Sequence, residues 1–357
     1  MRRGIRGPRA DSGGGPAAWR RLRVAVVVCG CLVLGVAASA ARAQAATLYV
    51  SATASADPAC AAASQKNPFA TIAGALNCLK SGTVKVGAGT FAGGFTITKN
   101  ATLTGAGAST VIANPGAPQL SLSEVTIADG LNVTLNDLTI NGEGAQGDIA
   151  MGSGSLHVTN STLTGGLANN RGPAIDESPG SGQASVTLLR STLNNNHGLG
   201  AGSGAISVSD SSSLRPPNVL SVIDSTIADN RADGEGGGVQ MGLFDDLTVR
   251  DSTISGNDAA SGGGIFISGS ASGSSSNSTS LINALIAGNT LGGQPNRSGA
   301  DCVDPQPVID GGHNVLGVQD GCTGITNGVT GDQAGTASAP LDPQVGPLGA
   351  HGGATET

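Results

Sequence analysis

One short motif recurs along most of this chain and limits what the chain can fold into. The residues DSTIADN begin at Asp224, and DSTISGN begins at Asp251. Related versions are DLTING from Asp137, NSTLTGG from Asn160, RSTLNNN from Arg190 and NALIAGN from Asn283. The equivalent apolar positions are Ile140, Leu163, Leu193, Ile227, Ile254 and Ile286, at successive spacings of 23, 30, 34, 27 and 32 residues. Irregular spacings of this size are typical of a solenoid whose loops vary while its strands stay in register.

Each repeat contains more than one strand. An alternating apolar run precedes the motif, and a glycine-rich run such as GGGVQM or GGGIFIS follows it. Alternation places on one side the pairs Leu156 and Val158, Val186 and Leu188, Leu220 and Val222, and Leu247 and Val249. These strands are too short to bury that side alone, so neighbouring repeats must cover it. With 2% aromatic residues and 58 glycines, the chain is predicted to be an all-β solenoid whose six repeat positions stack in one column.

The polar residues of the motif fit the corners of such coils. Glycine and asparagine tolerate the left-handed backbone conformation that a sharp corner needs. Asn230, Asn257 and Asn289 fall at the same place in their repeats. We therefore expect them to stack and to form hydrogen bonds from one coil to the next, as side-chain ladders do.

Residues 1–45 have a different composition and are predicted to be a secretory signal peptide. Arginines precede an apolar stretch from Val24 to about Ala38, and Ala41-Arg42-Ala43 is a candidate cleavage site. The stretch is shorter than the roughly 20 residues that a spanning helix needs. An uncleaved membrane anchor is the alternative. Cleavage predicts a secreted or cell-surface protein without a membrane span.

Removal of this segment makes the chain strongly acidic. Eight of the 18 basic residues and one of the 25 acidic residues precede Gln44. The remainder has 10 basic and 24 acidic residues, a net charge of −14. A surface of this charge repels phosphate backbones, so nucleic acid is excluded as a partner.

Four cysteines remain after the signal segment, in two local pairs. An even number in an exported chain predicts disulfides, most simply Cys60–Cys78 and Cys302–Cys322. Free buried thiols are the alternative. No spacing of cysteines or histidines is typical of a zinc site, and no metal ligand is assigned.

The N-terminal part of the solenoid resembles a known group. NPFATIAGALNCLKSGTVKVGAGTF from Asn67, followed by FTITKNATLTGAGASTVI from Phe95, looks like the start of pectin-lyase-like right-handed parallel β-helix proteins. The resemblance implies such a β-helix over residues 46–325 with an N-terminal capping helix. The helical spacing of Ile72, Ala75, Leu76 and Leu79 independently indicates that helix.

The C-terminal part is similar to a different segment. NVLG followed by LDPQVGPLGAHGGATET resembles the choice-of-anchor Q segment found after such helices in exported bacterial proteins. Residues 326–357 are therefore interpreted as a Gly/Pro-rich C-terminal segment. Because that segment continues further in the family, we interpret it here as incomplete.

The resemblance also raises the question of polysaccharide cleavage. Pectate-lyase relatives hold calcium with clustered carboxylates and use an Arg or Lys base. The matching candidates are Asp245, Asp246 and Arg250, with Asp224 or Asp251 as further carboxylates. We expect the first three to lie together on one surface corner. Galacturonase relatives have D-D before H-G, whereas here His197-Gly198 comes first and the N-T-D and R-x-K elements are missing.

Function is predicted as a choice between two classes. The only tryptophan, Trp19, lies in the signal segment, and the phenylalanines are interpreted as cap and core: Phe69, Phe91, Phe95, Phe244 and Phe266. The first class is an exported, non-catalytic β-helix scaffold or adhesin-like protein that displays loops such as SGSASGSSSNSTS from Ser268. Its partner would be an extracellular glycan or a cell-surface protein. The alternative is a polysaccharide lyase or glycoside hydrolase acting on an acidic glycan. No catalytic residue or cofactor is assigned, although the acidic surface could bind Ca²⁺.

Overall fold

The computed structural model describes residues 46–114, 122–178, 182–201, 204–208, 216–269 and 277–357. The predicted signal peptide, Trp19 and residues 270–276 of the serine-rich loop lie outside the described residues. Each repeat forms one coil, and successive coils stack as a right-handed parallel β-helix. The chain passes through four sheets, named A, B, C and D in the order in which a full coil visits them.

Sheet A contains the alternating runs that precede the motif, and its strands pair in parallel. They are β1 (Ala46–Val50), β2 (Gly82–Val86), β5 (Ala101–Thr104), β8 (Leu131–Asn136), β11 (Gly154–Thr159), β15 (Ala184–Leu189), β19 (Val219–Ile223), β23 (Asp246–Arg250), β27 (Ser278–Ile282) and β32 (Ile309–Asp310).

Sheet B contains the motif itself. Its strands are β3 (Gly89–Ala92), β6 (Thr110–Ala113), β9 (Thr139–Asn141), β12 (Thr162–Thr164), β16 (Thr192–Asn194), β20 (Thr226–Ala228), β24 (Thr253–Ser255), β28 (Leu285–Ala287), β33 (Val315–Leu316) and β34 (Gln333–Ala334). β34, which pairs with β33, lies beyond Ile325, the residue at which the sequence predicts the end of the β-helix.

Sheets C and D complete the coil. Sheet C contains β13 (Leu167–Asn169), β17 (His197–Leu199), β21 (Arg231–Ala232), β25 (Asp258–Ala259), β29 (Thr290–Leu291) and the antiparallel β30 (Gln294–Pro295). Sheet D contains β4 (Phe95–Ile97), β7 (Ser123–Ile127), β10 (Gly147–Met151), β14 (Ile175–Glu177), β18 (Ile206–Val208), β22 (Val239–Met241), β26 (Ile265–Ile267) and β31 (Cys302–Val303).

The apolar column predicted from the repeat is confirmed. Strand pairing places in one row Ile140, Leu163, Leu193, Ile227, Ile254 and Ile286, and all are fully buried. In sheet A, Leu156 pairs with Val186 and Val158 pairs with Leu188. These side chains are also fully or almost fully buried. Within the described coils, these inward side chains therefore pack against the equivalent side chains of neighbouring coils.

The corner between sheets A and B uses one residue with a left-handed backbone. The residues at this corner are Asp137, Asn160, Arg190, Asp224, Asp251 and Asn283, with φ between 47° and 55°. Asn and Asp are enriched in this region because their short polar side chains can hydrogen-bond locally. The first letter of the repeated motif is thus explained by backbone geometry.

The asparagine ladder is also confirmed. The Nδ2 atom of Asn230 donates to Oδ1 of Asn257 at 2.9 Å, and Nδ2 of Asn257 donates to Oδ1 of Asn289 at 3.0 Å. Asn196 extends the ladder on one side, and Asp301 ends it on the other by accepting from Asn289 at 2.8 Å. An amide can continue a ladder because it both donates and accepts.

The N-terminal cap forms as predicted. Helix α1 (Ile72–Cys78) begins after Thr71, whose hydroxyl accepts the Gly74 N–H, and it buries Ile72 and Leu76 against the first coils. A short 3₁₀ turn, Cys60–Ala62, precedes it. Both predicted disulfides are present, Cys60–Cys78 at this cap and Cys302–Cys322 at the other end of the helix. Among the described helices, none is long and apolar enough to cross a membrane.

Candidate functional site

The three candidate catalytic residues do not converge. Asp245 is buried, and its carboxylate accepts the N–H groups of Asn218 at 3.2 Å and Gly242 at 3.0 Å. Asp246 and Arg250 face outwards at opposite ends of β23, about 13 Å apart along the strand. The expectation of one shared surface corner is therefore wrong, because Asp245 is needed as an acceptor inside the turn.

The further carboxylates do not complete that site either. Asp251 lies at the corner after β23 and pairs with Arg250 across 3.6 Å, and Asn283 donates to it at 2.8 Å. Asp224 occupies the same corner one coil earlier. His197 lies in sheet C, where its Nε2 atom is 3.0 Å from the carboxylate of Asp233. The candidate base Arg250 is thus an exposed member of a corner ion pair, far along the strand from Asp246.

A different set of side chains converges on the outer face of sheet D. Strand pairing places Asp176 beside Ser207, Ser207 beside Gln240, and Gln240 beside Phe266. We call these four residues the outer row. The residues flanking them in sequence, such as Ile206 and Ile265, point into the core and are fully buried. Four consecutive coils therefore place a carboxylate, a hydroxyl, an amide and an aromatic ring in line. Asp176 and Ser207 are almost buried, whereas Gln240 and Phe266 are half-buried, and the Ser207 hydroxyl donates to Oε1 of Gln240 at 3.3 Å.

The outer row corrects one sequence interpretation. Phe69, Phe91 and Phe95 are buried as predicted, but Phe244 is only half-buried. Phe266 faces outwards and is also half-buried. Alternation in the three residues of β26 contains the signal, since Ile265 and Ile267 take the two inward positions. The residue types of the row differ from coil to coil, so no repeated letter marks it in the sequence.

Asp176 is the chemically distinctive member of the outer row. Its side chain is almost buried, and burial raises the pKa of the Asp176 carboxyl above its ordinary value. The Ser178 hydroxyl at 3.0 Å, the Arg171 guanidinium at 3.8 Å and the Gly172 N–H at 3.3 Å lower that pKa in part. A carboxyl whose pKa is raised keeps its proton to higher pH than an ordinary carboxyl and can therefore donate it.

The glycine runs bring backbone close to the exposed end of the row. Gly236 and Gly262 have left-handed backbones, with φ of 70° and 60°. A Cβ on Gly236 would lie 2.8 Å from the Cβ of Gln240, and one on Gly262 would lie 2.7 Å from the Cβ of Phe266. Larger residues would displace these two side chains. The glycine at the start of each run therefore shapes the surface beside Gln240 and Phe266.

Acidic side chains also meet at the start of the sheet D strands. Glu124 and Asp148 are fully buried on neighbouring strands, between the paired residues Ser123–Gly147 and Val125–Ile149. Glu124 accepts from Gln146 at 2.6 Å through Oε1. Oε2 of Glu124 and both carboxylate oxygens of Asp148 lack hydrogen-bond partners in the structure. Within the described ranges, no group of three or more His, Cys, Asp or Glu side chains is arranged to hold a metal ion.

A cavity of about 420 Å³ lies between the outer face of sheet B and the C-terminal segment. Thr226, Thr253, Val345, Leu348 and His351 contribute to its lining. None of the predicted catalytic residues reaches it. We interpret it as the space left where the C-terminal segment packs over the threonines of sheet B.

Comparisons with known proteins find structures of similar fold. A pectin methylesterase from Aspergillus niger is 17% identical, with a TM-score of 0.41, over 68% of this chain and 86% of that one. The A-module of a mannuronan C-5 epimerase from Azotobacter vinelandii is 13% identical, with a TM-score of 0.35, over 73% of this chain and 89% of that one. No protein-family model matches the chain, and no curated protein matches it. These identities are too low to transfer an activity.

Proposed function

We propose that this protein is an exported, non-catalytic β-helix scaffold that binds an extracellular glycan along the outer row of sheet D. The in-register series of Asp176, Ser207, Gln240 and Phe266 is the observation that supports the proposal. Two disulfides fit an oxidising compartment, and residues 1–45 would be the export signal. The resemblance of residues 326–357 to a choice-of-anchor Q segment supports display at the cell surface.

The residue types of the row suit sugar hydroxyls. A hydroxyl both donates and accepts, and the row contains carboxylate and amide oxygens as well as donors. The aromatic ring of Phe266 adds an apolar surface against which a sugar ring can pack. With strands about 4.8 Å apart, the four residues cover about 14 Å, which suits an extended chain rather than a single sugar.

Binding is better supported than cleavage because several of the buried carboxylates serve the fold. Asp245, Asp301 and Asp332 accept backbone N–H groups at coil corners. Within the described residues, Asp176 is the one carboxylate of the outer row. A glycosidase needs a second carboxylate across the scissile bond. A net charge of −14 after signal removal also opposes an acidic ligand, so we propose a neutral glycan.

Glycan cleavage is the second candidate, and Asp176 is the observation that favours it. Its pKa, which burial raises, is typical of a general acid. Asp176 would protonate the oxygen of the leaving sugar, and Arg171 would orient the carboxyl. An acidic substrate would then approach against the charge of the whole molecule.

The test is binding of residues 46–357 to neutral glycans (β-glucan, galactan, starch) and acidic glycans (polygalacturonate, alginate) by affinity electrophoresis. We expect retardation by a neutral glycan that weakens at least tenfold in Gln240→Ala and Phe266→Ala. Thr248→Ala, an outward residue of sheet A, is the matched control and should bind normally. Equal binding by all variants would refute the site. New reducing ends or unsaturated products that disappear in Asp176→Asn would establish the second candidate instead.

A further inference from the structure

The asparagine ladder stops before it reaches the first coils. Gly166 stands at the next rung below Asn196, and its N–H donates to Oδ1 of Asn196 at 2.8 Å. Glycine has no amide with which to continue the series. In later coils the ladder lies against the start of sheet D. Gly238, which precedes β22, is so close to it that an added Cβ would lie 3.3 Å from Nδ2 of Asn257. Glu124 and Asp148 occupy the start of sheet D in the early coils.

The change from amides to carboxylates removes the donors. An ionised carboxylate only accepts, so two neighbouring carboxylates cannot satisfy one another as two asparagines do. Glu124 obtains donors from Gln146 and the Asn114 N–H, but through one oxygen only. The backbone N–H of Gly142 faces Asp148, yet it already donates to Thr164 O at 3.0 Å. Three buried carboxylate oxygens, on two neighbouring strands of sheet D, are left without hydrogen-bond partners.

Among the residues that the structure describes, no cationic side chain acts on the pKa of Glu124 or of Asp148. The charged side chains whose fields act on them are carboxylates: Glu143 acts on Glu124, and Glu124 acts on Asp148. Burial of an unpaired charge costs several kcal/mol, so the folded protein needs a positive partner or added protons at this place. A bound cation would supply the positive charge and would give the free oxygens of both carboxylates a partner.

We propose that Glu124 and Asp148 bind one divalent cation, with calcium as the ion that fits the donors best. Calcium takes oxygen ligands exclusively in such sites and accepts bidentate carboxylates and irregular geometry. Two carboxylates balance its charge. Two carboxylates supply fewer oxygen atoms than the six to eight that calcium takes, so backbone carbonyls or water would complete the coordination. The cation would join the first coils where the asparagine ladder cannot, and it is independent of glycan binding.

The test measures metal content and thermal unfolding of residues 46–357. After chelation and gel filtration, we expect addition of CaCl₂ to give a saturable rise in melting temperature. We also expect about one bound calcium per chain, and a smaller effect of MgCl₂. Asp148→Asn and Glu124→Gln should each abolish the calcium-dependent rise. Asp246→Asn, which alters an outward carboxylate of sheet A, is the control and should retain it.

Two outcomes would overturn the proposal. One is a melting temperature that calcium does not change in the unaltered chain, with no bound metal. The other is an equal calcium effect in Asp148→Asn and Glu124→Gln, which would place the ion elsewhere. If one variant fails to fold, the other still decides the matter, because each replaces a carboxylate with an amide of the same shape.

Discussion

Asn257 shows how much of this fold depends on single amide groups. Its Nδ2 donates to Asn289 at 3.0 Å and to the carbonyl of Ile227 at 3.0 Å, and its Oδ1 accepts from the side chain and the backbone of Asn230. The residue is fully buried. Every bond of the amide is therefore made inside the protein, and removal of the amide leaves donors and acceptors that water cannot reach.

We predict that Asn257→Ala lowers the free energy of unfolding by about 1–3 kcal/mol, because buried polar groups lose their partners. Urea denaturation followed by circular dichroism measures this value. Asn132→Ala, at an exposed strand position, is the matched control and should change stability by less than about 0.5 kcal/mol. Similar values for the two variants would show that the ladder contributes little.

The sequence predicts the ladder but not its end. Asn230, Asn257 and Asn289 stand at the same distance after their motifs, so alignment alone brings them together. Asp301 follows the last complete motif and has nothing with which to align. The sequence also predicts a solvated pair at Asp245 and Asp246. It cannot show that the corner N–H groups of Asn218 and Gly242 require a buried acceptor.

Among the elements, the glycine runs before β22 and β26 have a steric cause. A Cβ on Gly237 would lie 2.4 Å from the carbonyl oxygen of Gly263 and 2.7 Å from that of Asp258. These are backbone atoms of the next coil and cannot move without shifting that coil. Close packing between coils therefore explains why three glycines follow the motif in consecutive repeats.

We predict that Gly237→Ala destabilises the protein by about 1–3 kcal/mol, in the range of overpacked cores. Gly346→Ala is the control, because a Cβ there meets no atom within 4 Å and the backbone is not left-handed. Thermal unfolding of both variants measures the difference. A normal melting temperature for Gly237→Ala would mean that the coils can separate to admit a methyl group.

The two disulfides differ in their access to solvent. Cys60 is exposed in the turn before α1, whereas Cys302 and Cys322 are almost completely buried. Thiol–disulfide exchange requires a thiolate to reach a sulfur atom. We predict that dithiothreitol reduces Cys60–Cys78 in the native protein and leaves Cys302–Cys322 intact until the chain unfolds. Alkylation and peptide mapping with and without urea would check this, and equal native reduction of both would contradict it.

The sequence predicts some elements better than others. Three kinds of element can be recognised in the sequence. Sheet A shows alternating apolar residues, sheet B contains the repeated motif, and helix α1 shows helical spacing. Sheet C is not visible, since strands such as Arg231–Ala232 and Asp258–Ala259 are too short to alternate. The outer row of sheet D is missed for a related reason. Each three-residue strand contributes one outward residue, and the residue type changes at every coil.

For the whole molecule, buried carboxylates set the dependence of stability on pH. Burial raises the pKa values of Asp176, Asp301 and Asp304 above their ordinary values. A group with a raised pKa in the folded state favours folding below its unfolded pKa of about 4, and this contribution is lost as the pH rises through the folded pKa. At Asp233 the hydrogen bond with His197 lowers the pKa of the carboxyl. This group therefore favours folding above its unfolded pKa, and its contribution is lost as the pH falls through the lower folded pKa.

We therefore predict that the protein, after treatment with a chelator to remove metal ions, has a larger free energy of unfolding near pH 5 than near pH 8. The smaller negative net charge at the lower pH acts in the same direction. Melting temperatures across this range in buffers of equal ionic strength measure the effect. Asp304→Asn should reduce the slope, since the amide does not ionise. A melting temperature that rises from pH 5 to pH 8 would contradict the prediction.

The one-residue corner between sheets A and B has a consequence for how such a molecule can change over generations. Asp224 and Asp251 occupy the same corner in successive coils, 27 residues apart. An in-frame duplication of the gene segment for residues 224–250 would join each end to a neighbour that it already has. The product would gain a complete coil without any new junction to optimise. Recombination could therefore lengthen or shorten this protein by one whole coil at a time, in addition to changes of single residues.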